Sequence, residues 1–131
     1  MDKRFELSLS DFASALSRLR EAVDMDETTI VRDAIIKRFE FTFETAWKAM
    51  HRWLVGRGVA LDAEAFVVLK RAFANSLIVD EGTWHDIRKN RNLTSHTYKE
   101  KLAVEVAAFV RAVAVARFDE LLATLRARAE E

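Results

Sequence analysis

Phe5, Leu9, Phe12, Leu16, Leu19 and Val23 recur at spacings of 4, 3, 4, 3 and 4, a rhythm that an α-helix gathers onto one face. This stripe predicts a first helix ending near Asp24. After the polar "DMDETT", where Thr28 or Thr29 is suited to cap a new start, Ile35, Phe39, Phe43, Trp47, Met50 and Leu54 continue at helical spacing. They predict a long second helix over roughly residues 29 to 55. Gly56 and Gly58 supply its stop, because glycine takes the left-handed conformation at a helix end without steric cost. Asp62 is placed to cap a third helix carrying Phe66, Leu69, Phe73 and Leu77. "NSLIVDEGT" then connects to a fourth segment with Trp84, Ile87 and Leu93. A last helix is predicted from near Tyr98 to about Arg126, on Leu102, Val106, Phe109, Val113, Leu121 and Leu125. Its alanine-rich middle lets a neighbour approach closely.

Helices with such wide apolar stripes bury them only against one another. The expected fold is therefore all-α, an up-and-down bundle of four to five helices forming one domain over residues 1–131. With no proline and three glycines, the chain lacks the turn residues that many short strands require. Cysteine is absent, which removes disulfides and thiolate metal sites. No N-terminal apolar run resembles a signal peptide or membrane span, so the expectation is a soluble cytoplasmic protein without a membrane partner. Basic and acidic residues balance at 21 each. Any nucleic-acid contact must then come from a local patch rather than from net charge.

One stretch is out of character with the rest. "RNLTSHTY", residues 91 to 98, holds the only tyrosine and one of three histidines. It reads in two ways. It is an ordinary polar helix end whose cations suit the helix dipole, or Arg91 and His96 form a catalytic or anion-binding pair. On one continuous helix, five residues would leave the two about 140° apart, so they converge only if the helix bends or ends between them or if a second subunit completes the site. Asn92 and His96 would share a face. Arg88, Lys89, Arg91, Lys99 and Lys101 cluster around the motif and could bind phosphate if they share a surface. Glu40 and Glu44, four apart among aromatics, are either merely solvated or paired with Lys48 and Arg38, or else one of them reaches Arg91 and orients it. The aromatics Phe39, Phe43 and Trp47 are read as core. Neither His51 nor His85 repeats the spacing of a helical zinc motif, so no metal and no cofactor is expected.

"KRFEFTFETAWKAM", followed by "AFANSLIVDEGTWHDIRKNRNLTSHTY", resembles the HEPN domain (higher eukaryotes and prokaryotes nucleotide-binding), in its nucleotidyltransferase substrate-binding subfamily. The resemblance covers roughly residues 30 to 125. Its most specific piece is the arginine, histidine and tyrosine of "RNLTSHTY". It implies a dimerising helical bundle that partners a minimal nucleotidyltransferase as toxin and antitoxin, and that cleaves RNA without a metal. Carried over by position, Arg91 and His96 match the catalytic pair, Asn92 the polar position after the arginine, and Tyr98 the tyrosine that the partner modifies with AMP. On this view Asn92, Thr94, Ser95, Arg88 and Lys89 position phosphate or ribose, while Glu40 and Glu44 support the site. Two positions depart from the pattern. Lys99 stands where relatives often carry an acidic residue, which bears on partner docking, and Ala63 replaces a proline common at the start of the third helix. The competing expectation is a non-catalytic subunit that binds a substrate or nucleotide for the nucleotidyltransferase.

Overall fold

A computed structural model describes residues 2–129. Five helical rods pack together, as the apolar stripes require, and the second touches all the others. Helix α1 (Lys3–Val23) starts under Asp2, whose carboxylate accepts the Arg4 amide, and packs in a hairpin against α2 (Thr29–Gly56). Thr28 is the cap of α2, its hydroxyl accepting the Val31 amide at 3.1 Å. Arg38 fixes the hairpin by donating to the Arg18 carbonyl and to Glu21.

Helix α3 (Ala65–Ala74) has Glu64, not Asp62, at its cap position, and no side chain caps it. Its buried positions are Val68, Leu69 and Ala72, whereas Phe66 and Phe73 stay 38% and 45% exposed. The expected stripe through Phe66 and Phe73 is thus turned outward. Phe66 is instead flanked by the cations of Lys70 and Arg88, at 5.4 and 5.2 Å from its ring centre. The helix closes with the Leu77 amide on the Ala72 carbonyl and the Ser76 amide on that of Phe73, a Schellman arrangement that needs a left-handed residue. Ser76 takes that conformation at φ 61°, and Arg128 donates to the Asn75 and Ser76 carbonyls around it.

Helix α4 (Glu81–Leu93) leads into a 3₁₀ turn, Thr94–His96. The last rod begins at Glu100, two residues later than expected, and is not uniform. Helix α5 (Glu100–Phe109) passes through one π-helical segment, Val110–Ala114, into α6 (Val115–Ala129). Arg111, in that segment, reaches the Val23 and Met25 carbonyls and pairs with Glu27, tying the rod to the α1–α2 link. Ala103, Ala107 and Ala114 are buried, as small residues allow at a close approach. Phe118 sits at the centre of the core, with ring centres at 5.7 Å from Trp84 and 6.2 Å from both Phe12 and Phe39. Among the described residues, no helix is long and apolar enough to cross a membrane.

Candidate functional site

The "RNLTSHTY" stretch lies where α4 ends, and the start of that helix is set by Asp80. This carboxylate accepts both the Thr83 amide at 3.0 Å and the Thr83 hydroxyl at 2.6 Å. The hydroxyl bond foremost, then the amide, hold Asp80 below its ordinary pKa of 3.8. A lowered carboxyl stabilises the fold above its ordinary pKa, and the contribution is lost as pH falls through the lowered value. Asp80→Ala is therefore expected to melt below wild type at neutral pH, with the gap narrowing on acidification below 3.8. Circular dichroism melts across that range test it, and a gap independent of pH would disprove the charged cap.

At the other end, α4 stops at Leu93, between Arg91 and His96. The break required for the two to converge is thus present. Arg91 is held on two sides. Its Nη1 donates to Thr94 Oγ1 at 3.1 Å, while the same hydroxyl donates to the Arg91 carbonyl at 2.7 Å. Its Nε lies 3.3 Å from Glu44 Oε1 without the alignment of a hydrogen bond, so charge attraction holds this side of the guanidinium. With side chains 29% and 37% exposed, such a pair adds only about 0–1 kcal/mol to stability. Its consequence is orientation, since Glu44 fixes the plane of the guanidinium. Glu44 is itself fixed, because Oε2 accepts the Trp47 indole N–H at 3.0 Å. Glu40 lies apart from this chain of contacts and pairs with Lys37 at 3.7 Å.

Thr94 is buried at 6% exposure. With its hydroxyl engaged by Arg91, it positions the guanidinium rather than meeting a ligand. Asn92, Ser95, His96 and Lys89 are exposed, and Ser95 donates to the Asn92 carbonyl at 3.2 Å. Arg88 turns toward α3, over Phe66. The His96 and Tyr98 rings meet edge-on, 6.3 Å between centres. Tyr98 is 78% exposed and borders a groove of about 320 Å³ between the starts of α2 and α5, with Thr29, Arg32 and Asp33 opposite. No group of three or more metal-ligating side chains occurs among the described residues.

Arg91 is thus a clamped cation whose remaining guanidinium N–H groups can address an anion, and His96, an exposed imidazole, follows it across the helix end. Trp47 is the member that its apolar spacing hides. The pattern assigns it to the core, yet it is only partly buried and supports Glu44. The available signal is the three-residue step from Glu44 to Trp47, which puts both on one helix face.

Known proteins share this arrangement of helices. The chain is 36% identical over 90 residues to the Haemophilus influenzae protein named "Probable ribonuclease HepT", a stretch covering 63% of this chain and 62% of that protein. Its fold is similar to a solved H. influenzae structure described as a substrate binding domain of a nucleotidyltransferase, with a TM-score of 0.78 at 29% identity, covering 90% of this chain and 98% of that one. A Thermus thermophilus protein aligns with a TM-score of 0.73 at 28% identity, over 92% of this chain and 99% of its own. Matched from residue 7 to residue 127 by the model described as "Nucleotidyltransferase substrate binding protein like", the chain belongs to that family.

Proposed function

We propose that the chain is a HEPN-type endoribonuclease that cleaves RNA without a metal and is silenced by a partner nucleotidyltransferase. The observation that carries this reading is the double clamp on Arg91, by Glu44 and Thr94, at a helix end that leads directly to an exposed His96. RNA brings its own nucleophile, the 2′-hydroxyl. Imidazole exchanges protons in the physiological range and suits the transfer that activates it. His96 removes the 2′-proton, O2′ attacks phosphorus, and the bond to O5′ breaks as that oxygen takes up a proton. The products are a 2′,3′-cyclic phosphate and a free 5′-hydroxyl. Arg91 meets the charge that builds on the phosphoryl oxygens, its orientation set in advance. Asn92 and Ser95, exposed beside it, contact ribose or phosphate. A second copy of the chain supplies a second Arg91 and His96, and with them the acid for the leaving oxygen.

The name of the curated relative supports the ribonuclease reading, and the solved relative's description supports a nucleotidyltransferase partner. The test is cleavage of RNA by the purified chain in EDTA, with analysis of the new 3′ ends. Cyclic phosphate is the expected product. Absence of cleavage by protein whose intact mass excludes modification would favour a non-catalytic subunit that binds substrate for the nucleotidyltransferase.

Regulation falls to Tyr98, whose hydroxyl is open to a partner. Attack of this oxygen, as it gives up its proton, on the α-phosphorus of ATP expels pyrophosphate, and the AMP left on it puts an anionic phosphodiester two residues from His96, where it competes with RNA by charge and bulk. Incubation with the nucleotidyltransferase and ATP is expected to add the mass of one or more AMP units. Tyr98→Phe removes the only tyrosine and should abolish the shift, and a shift that persists in this variant would refute the site.

A further inference from the structure

Most of the half-buried cations are matched by a carboxylate. Arg32, Arg38, Arg91, Arg111 and Arg117 each have an acidic partner. Arg88 and Arg128 have none among the described residues and lie over aromatic rings instead, and along α2, beyond Glu44, cations without a carboxylate partner gather on one side. Lys48, His51 and Arg52 form no ion pair among the described residues. With Trp47, Ser8 and Ala63 they line an open cavity of about 270 Å³. A second cavity of about 170 Å³ shares Arg52 and is walled by Trp53, whose ring has the Arg57 and Arg128 guanidiniums at 4.7 and 5.2 Å from its centre. In a chain with no net charge, Lys48 and Arg52 thus place two unmatched cations beside an indole and an imidazole.

The groove is joined to the Arg91 site through one carboxylate. Glu44 touches Arg91 with one oxygen and the Trp47 indole with the other. Trp47, Lys48, His51 and Arg52 follow at helical steps of three and four, so they lead away from Arg91 along one side of α2. Cations that track a backbone, interleaved with an aromatic face, are the means by which proteins hold single-stranded nucleic acid irrespective of sequence. A duplex hides its base faces and gains nothing from the indole. The Lys48 ammonium sits 5.9 Å from the Trp47 ring centre, a loose contact that a base can replace while the ammonium moves to a phosphate.

We propose that single-stranded RNA entering the Arg91–His96 site continues along α2, with a base against Trp47 and backbone phosphates on Lys48, His51 and Arg52. The proposal rests on the ribonuclease reading for what enters the site, but the binding it describes needs no cleavage. A fluorescein-labelled 2′-O-methyl oligoribonucleotide has no nucleophilic 2′-hydroxyl, so its affinity can be read by anisotropy in the unmodified protein. Lys48→Gln combined with Arg52→Gln, neither side chain buried, is expected to weaken binding about 10-fold or more. It should also lower the slope of log Kd against log salt by about 1.4, the loss of two single-strand phosphate contacts. Tryptophan emission should be quenched on binding in wild type and much less so in Trp47→Leu.

Unchanged affinity and slope in the double variant would overturn the proposal. So would loss of binding confined to Arg88→Gln with Lys89→Gln, no binding by wild type, or a double variant that loses only its grip on the nucleotidyltransferase. If unmodified wild type binds the oligonucleotide but cleaves no RNA, the ribonuclease reading falls while the binding result stands, so the two failures are distinguishable.

Discussion

His96→Ala is expected to lower the initial rate of RNA cleavage by about 10²–10⁴-fold, the usual weight of a positioned proton-transfer group. Arg91→Ala should lower it by about 10²–10³-fold, the loss associated with one preorganised donor at developing charge. Arg91→Lys is not expected to restore the rate. An ammonium cannot keep both the Thr94 and the Glu44 contacts in one plane while presenting further donors to phosphate. Neither alanine variant should unfold the bundle. His96 is exposed on its 3₁₀ turn, and the Arg91–Glu44 pair is too exposed to stabilise the fold by more than about 1 kcal/mol. Initial rates on an end-labelled RNA, beside circular dichroism melts, separate chemistry from folding. Folded variants that cleave at the wild-type rate would remove the assignment.

The largest effect on stability is expected from Phe118→Ala. This ring is fully buried and meets Phe12 of α1, Phe39 of α2 and Trp84 of α4. One truncation thus opens a void shared by four elements, and an aromatic-to-alanine change in a core costs about 3–5 kcal/mol. Against a total of about 5–15 kcal/mol for a small domain, that leaves a marginal fold. Phe73→Ala, at a residue 45% exposed, should change stability by less than about 0.5 kcal/mol. Urea denaturation of the pair measures the contrast, and equal midpoints would show that Phe118 does not organise the core.

The bundle and its long second helix are legible in the spacing of apolar residues, because burial of a helix face imposes a period that side chains must obey. Helix α3 shows where that logic weakens. Over ten residues several faces fit nearly as well, and the cations beside Phe66 make its partial exposure tolerable in a way that period alone does not reveal. The relation of Arg91 to Glu44 is open in the sequence, since either of two glutamates could serve. Only the packing of α4 on α2 settles it. The Lys48–Arg52 groove leaves no trace as a motif. Its meaning comes from the acidic partners it lacks, and partners are a property of the fold.

The π segment in the last rod also constrains how this chain can vary. A π turn holds one residue more than the α-helical turn it replaces. Deleting one residue from Val110–Ala114, Arg111 excepted, would let the rod close into regular α-helix with all that follows on nearly the same face, because the wider turn had absorbed that residue. A deletion in the regular turns of α5 has no such slack and would turn Phe118, Leu121 and Leu125, now buried, off the core together by about 100°. The π segment is therefore where this rod can lose a residue and keep its core face, so that number is more forgiving there than the identity of Arg111.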